Sequence, residues 1–131
     1  MYKIIKRNKI SDSRGWFLKV LDGNEDYLKK EIGEFYVTVA HPNKFKGGHY
    51  HDIANEWFTL ISGKCILELY DTESNTREQI TLSDLDMKTI YVPSKIAHRF
   101  LNIGKENFTL LAYSDEKYDP EDTIMFDFDK I

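Results

Sequence analysis

Short apolar runs separated by polar punctuation fill the chain, and almost none of them has helical period. Residues 35–40 (FYVTVA) are β-branched and aromatic and stop at the turn-forming His41-Pro42-Asn43. Residues 56–61 (EWFTLI) end at Ser62-Gly63, and 64–70 (KCILELY) follow at once, closing at 71–76 (DTESNT), a polar stretch suited to a hairpin loop. Residues 79–82, 89–92, 98–101 and 108–113 continue the series. One short helix, or an irregular loop, is expected around 25–31. Seven or more strands at about ten-residue spacing predict an all-β sandwich or barrel. Doublets such as Leu110-Leu111 interrupt the alternation, so the pattern leaves the inward faces open.

Composition narrows the function classes. A chain of 131 residues is expected to form one domain over 1–131. Its 41% hydrophobic and 31% charged residues exclude a disordered chain and interrupt any membrane span. Eighteen basic against 22 acidic residues, without a long basic block, argue against a nucleic-acid partner. The single cysteine, Cys65, excludes an internal disulfide. The opening stretch breaks its apolar run with charge after Ile4-Ile5, unlike a secretory leader, so the expected location is cytoplasmic.

The histidines carry the candidate chemistry. Three of the four fall into two spaced groups: Gly47-Gly48-His49-Tyr50-His51, then Glu56 and Gly63; and Pro93-Ser94-Lys95-Ile96-Ala97-His98, then Asn102. Residues two apart on a strand point the same way, so His49 and His51 can both face a barrel interior. Glu56 would begin the next strand and His98 would arrive from a remote one. Three imidazoles and a carboxylate make a first shell for a divalent transition metal. His41, beside Pro42, reads as structural.

At these residues the sequence resembles the cupin superfamily, whose motifs are Gly, His-x-His, Glu and Gly, then Pro, Gly, His and Asn. The first motif matches throughout. The second departs at Lys95, where the family usually has glycine. The resemblance implies a single cupin barrel, the double-stranded β-helix or jelly roll. Asp12-Ser-Arg-Gly-Trp-Phe17, Gly48-His49-Tyr50, Tyr91-Val-Pro93, Ala97-His98-Arg99-Phe100 and Tyr113 followed by Tyr118-Asp119-Pro120-Glu121 look like successive blocks of the dTDP-4-dehydrorhamnose 3,5-epimerases. Those enzymes work without metal and typically have Gln at the position of His51 and a substrate-binding Lys at that of Glu56. Lys46 to His51, Asn55-Glu56 and Ser62-Gly63-Lys64 are more similar to the zinc-holding C-terminal cupin domain of the bifunctional reductase/epimerases of capsular polysaccharide synthesis. Sugar-nucleotide 3,4-ketoisomerases share Asp-Ser-Arg-Gly and His-x-His, typically with Gln in place of Glu56.

The resemblance therefore implies an epimerase of surface-polysaccharide synthesis that removes a proton beside the ketone of an NDP-4-keto-6-deoxyhexose. The alternatives are a 3,4-ketoisomerase or a non-enzymatic metal- or sugar-binding cupin. Two role assignments stay open. With a metal, expected to be zinc, His49, His51, Glu56 and His98 are ligands, and Tyr113 or Tyr36 transfers the proton. Without one, His49 is the base and Tyr113 the acid. Arg14 is the expected diphosphate contact, because its planar fork matches phosphate oxygens in pairs. Lys46 and Lys95 are further substrate-binding candidates, and Trp16 or Tyr50 could stack on the nucleotide base. A homodimer, paired through sheet edges, is also expected by resemblance.

Overall fold

The computed structural model describes residues 8–24 and 32–131. The helix expected around 25–31 lies outside the described residues. Among them, eleven strands form two antiparallel sheets. The strands are β1 (Ile10–Asp12), β2 (Gly15–Leu21), β3 (Glu34–Ala40), β4 (Phe45–Tyr50), β5 (Glu56–Ser62), β6 (Lys64–Asp71), β7 (Thr76–Ser83), β8 (Thr89–Val92), β9 (Ile96–Asn102), β10 (Phe108–Ser114) and β11 (Ile124–Met125). The first sheet runs β1-β2-β3-β10-β5-β8 and the second β11-β4-β9-β6-β7. This is the all-β barrel of two packed sheets that the strand spacing predicts. No helix among the described residues is long and apolar enough to cross a membrane.

Alternation explains which side chains the sheets bury. On β5, Glu56, Phe58 and Leu60 face inward; on β10, Phe108, Leu110, Ala112 and Ser114 do. Leu67, Leu82, Val92 and Phe100 meet them from the other strands to form the core. Each such side chain contributes roughly 1.5–3 kcal/mol by leaving water. The Leu110-Leu111 doublet is thereby assigned: Leu110 is buried at 1% exposure, and Leu111 lies on the other face.

The loop expected at 71–76 is a hairpin, with Asp71 facing Thr76. Asp71 Oδ1 accepts from the backbone N–H of Glu73 and Ser74, and Asn75 takes the left-handed conformation that closes the turn. Four strands lie outside the seven apolar runs: β1, β2, β4 and β11. Two of these, β2 and β4, carry residues that matter to the site.

Candidate metal centre

Strand β4 delivers His49 only after a distortion. Gly47 and Gly48 both have positive φ, 89° and 85°, and the pairing with β9 shifts register between Gly47 and His49. A Cβ on Gly47 would sit 2.7 Å from the carbonyl oxygen of His98, so only glycine permits this approach. The bulge sets His49 opposite His98 of β9. His51 lies one residue beyond the end of β4, so the two histidines do not share one regular strand as the spacing alone suggests. Both nevertheless face the interior.

Three segments fix the loop that carries His51 to Glu56. The Asp122 carboxylate accepts from the backbone N–H groups of Asp52, Ile53 and Ala54 at 2.8–3.0 Å. Asn55 is clasped by Asp115 and in turn accepts from Ser94 N–H. Lys95 donates its backbone N–H to the His51 carbonyl at 2.6 Å. Lys95 does so from the left-handed region, at φ 70°, where glycine is usual. The turn geometry therefore survives this departure from the cupin pattern.

His49, His51, Glu56 and His98 converge, with one ligand atom from each lying within 4.8 Å of all the others. An ion about 2.0–2.2 Å from each donor needs donors spaced by roughly 3–4.4 Å, so small inward adjustments suffice. Glu56 Oε1 is 2.8 Å from His51 Nε2 and 3.4 Å from His98 Nε2. Neither contact has hydrogen-bond geometry, which leaves the buried Glu56 Oε1 and His98 Nε2 without hydrogen-bond partners among the described residues. Orphaned buried polar atoms are costly, and a shared cation would satisfy both. The outer nitrogens are already engaged: His51 Nδ1 lies 2.8 Å from the Asp122 carbonyl and His98 Nδ1 3.1 Å from the Ile96 carbonyl. Protons on those Nδ1 atoms leave each Nε2 as a lone-pair donor toward the centre. The donor set fits a divalent transition metal.

The electrostatics favour a neutral His49 and an ionised Glu56, the states that ligands need. Burial, then the neighbouring His98 and His51 rings, push the His49 pKa down to about 3, which keeps this imidazole neutral. Burial also acts to raise the Glu56 carboxyl, but the His51 and His98 contacts outweigh it and hold the group ionised. For His51, burial is outweighed by Glu56 and the Asp122 carbonyl, and its pKa rises. Tyr36 Oη donates to Glu56 Oε2 at 2.8 Å. Burial and the Glu56 charge push this phenol well above its usual value of 10, so it keeps its proton.

The cluster forms the floor of a cavity with two lobes. One, of about 350 Å³, is lined by Phe17, Lys19, Glu34, Tyr36 and Tyr118 beside the ligand residues. The other, of about 410 Å³, shares Phe17, Tyr36, His49 and Tyr118 and extends to Asp12, Arg14 and Lys46. Arg14 thus reaches the cavity, although its guanidinium also pairs with Asp12 at 2.8 Å. Lys46 is 7% exposed, and burial and Arg14 lower its pKa.

Four expected site residues stand elsewhere. Tyr113 alternates out of the barrel on β10 and packs on the outer face, between the rings of Phe35 and Trp57 at 4.5 and 5.4 Å. Trp16 lies on the face of β2 opposite Phe17 and Lys19, with Lys9 Nζ 5.3 Å from its ring centroid. Tyr50 packs edge-on to Phe126 and does not line the cavity. Lys95 is exposed and pairs with Glu73 at 3.1 Å, so its side chain is not a cavity contact. His41, in its turn, bonds Asn107 through Nδ1 as a structural residue does.

Sequence reasoning missed Lys19, Glu34 and Asp122. The first two had a readable signal, since Phe17 and Lys19, like Glu34 and Tyr36, are two apart on strands. Asp122 had none, because its role depends on where the C-terminal segment returns.

Comparison with known proteins fits this geometry. The family described as "Polysaccharide biosynthesis C-terminal domain" matches residues 10–126. The spore coat polysaccharide biosynthesis protein SpsL of Bacillus subtilis is 22% identical over 124 residues, covering 91% of this chain and 82% of its own. The UDP-2-acetamido-2,6-beta-L-arabino-hexul-4-ose reductase of Pseudomonas aeruginosa is 24% identical over 111 residues, 85% of this chain but only 28% of the reductase. The crystal structure of the capsular polysaccharide assembling protein CapF from Staphylococcus aureus superposes with a TM-score of 0.83 at 21% identity, over 95% of this chain and 33% of CapF. The chain thus spans about a third or less of those two longer relatives. The fold is the cupin barrel, and the chain belongs to the polysaccharide biosynthesis C-terminal domain family.

Proposed function

We propose that this protein is a metal-containing sugar-nucleotide epimerase, acting on an NDP-4-keto-6-deoxyhexose in surface-polysaccharide synthesis. The observation that carries the reading is the His49–His51–Glu56–His98 cluster, with orphaned donor atoms, on the floor of a cavity that a protonated tyrosine shares.

A C–H beside a ketone is a weak acid, so the enolate oxygen must be stabilised as it forms. His49, His51, Glu56 and His98 would hold a divalent ion, proposed to be zinc, which would supply that stabilisation as a Lewis acid. The chain's own residues do the rest. Asp122 and Ile96 orient the ligand imidazoles through their carbonyls. Tyr36 is the proposed proton-transfer residue: its oxygen takes the proton from carbon as its own hydroxyl proton passes to Glu56 Oε2, to which it already donates. Arg14 and Lys46 place cationic charge in the second lobe, suited to a diphosphate. Phe17 and Tyr118 supply apolar walls that limit water around the ring.

Proton NMR in deuterated water tests this reading, with dTDP- and UDP-4-keto-6-deoxyhexoses as substrates. Deuterium at a ring carbon beside the ketone, with inverted configuration, is expected. Migration of the ketone to C3 would make the enzyme a 3,4-ketoisomerase, and no exchange with any of these sugars would favour a binding protein. The working form is proposed to be a cytoplasmic homodimer, with no nucleic-acid or membrane partner.

A further inference from the structure

The first lobe holds a buried carboxylate, paired with a half-buried lysine, that the proposed chemistry does not use. Glu34 begins β3, two residues before Tyr36, and both side chains line the cavity. Glu34 is 5% exposed, and its Oε2 has no hydrogen-bond partner among the described residues. Lys19 Nζ lies 2.9 Å from that oxygen, at ion-pair distance but without hydrogen-bond geometry. Lys19 itself is held from the other side by the Tyr118 ring, 5.3 Å from its Nζ to the centroid. An ion pair with one partner a third exposed contributes little to stability, so stability alone does not account for a carboxylate buried here. An unsatisfied carboxylate oxygen inside a cavity calls for a donor from a ligand.

We propose that Glu34 and Lys19 form a sugar-recognition subsite that binds a neutral hydroxyl or amide substituent of the bound ring and rejects ring carboxylates. Glu34 Oε2 accepts the substituent's O–H or N–H, and the Lys19 ammonium donates to its oxygen. The strand rise places Glu34 about 6.6 Å along β3 from Tyr36, which suits a ring whose reacting carbon lies over Tyr36 and whose far substituent reaches Glu34. A carboxylate there would put a second anion against Glu34 where water is scarce. This rests on the reading of the cavity as a nucleotide-sugar site.

The test is calorimetric titration of the full chain with uridine and thymidine diphosphates, their glucose conjugates and their glucuronate conjugates. The wild type should bind a glucose conjugate at least about tenfold more tightly than the matching glucuronate. Glu34→Gln, which keeps shape and removes charge, should bring the two within about threefold and leave the bare diphosphate unchanged. Lys19→Met, an independent variant, should weaken the glucose conjugate and spare the diphosphate. Equal binding of glucose and glucuronate conjugates by the wild type, or an unchanged preference in Glu34→Gln, would overturn the subsite while leaving the nucleotide-sugar reading intact. Binding of none of the six compounds would overturn both.

Discussion

Asp122 holds His51 twice over: its backbone carbonyl sits 2.8 Å from His51 Nδ1, and its carboxylate accepts the three N–H groups that follow His51. The two residues are 71 positions apart, and one short turn, Pro120–Asp122, makes the junction. The turn is set locally, with the Asp119 side chain accepting from Glu121 N–H and Pro120 opening it. A residue outside the candidate ligand set thus controls the orientation of one ligand and the path of the chain to the next.

Asp122→Ala should therefore affect both stability and metal affinity. Three backbone donors lose a charged acceptor, so a loss of about 2–4 kcal/mol is expected from urea unfolding. Metal binding should weaken about 10–100-fold, read by competition with a chromogenic chelator. Unchanged affinity in a folded variant would show that the carboxylate clamp does not position His51, whose contact with the residue 122 carbonyl the substitution leaves in place.

Tyr36 and Tyr113 are separated by one simple comparison. Tyr36→Phe keeps the ring against Phe17 and removes the hydroxyl that donates to Glu56. Its turnover should fall about 10²–10⁴-fold with the fold preserved. Tyr113→Phe keeps the outer-face stacking and should leave turnover within about twofold, since the group lies across the sheet from the cavity. A large loss in Tyr113→Phe would contradict the placement.

Cys65 gives the pH dependence a clear sign. It is fully buried, and burial pushes its thiol up to about 12 from a usual 9.0. Below pH 9 both folded and unfolded chains hold this proton, so stability does not depend on it. Between 9 and 12 the unfolded chain releases the proton and the folded one keeps it, so stability falls as pH rises, by up to about 1.4 kcal/mol per unit. The raised Tyr36 phenol acts in the same direction from about pH 10. Urea midpoints at pH 8 and 10.5 should drop less in Cys65→Ala than in the wild type, whatever the variant's lower starting stability.

Much of this site was legible as spacing. His49, Glu56 and His98 could be placed because strand periodicity and the length between turns bring β4, β5 and β9 together inside a two-sheet barrel. The seven apolar runs all became strands for the same reason. Strand β4 was anticipated only at its histidine pair, because Gly47 and Gly48 carry no apolar signal; they make a bulge within the paired strand. Strand β2 escaped because Lys19 interrupts its apolar run, and that lysine points into the cavity toward Glu34. The outer-face placement of Tyr113 was not legible, because a resemblance fixes a position in sequence but not which side of a strand the ring takes. A single step of alternation separates it from Ser114, which faces inward.

The metal centre itself is tested most directly by elemental analysis and zinc titration of chelator-stripped protein, wild type beside Glu56→Gln and His51→Ala. About one equivalent of divalent transition metal per wild-type chain, with affinity lost in both variants, is the result expected from four converging donors. A wild-type chain that purifies without metal and takes up none on titration, or uptake unchanged by Glu56→Gln, would contradict it.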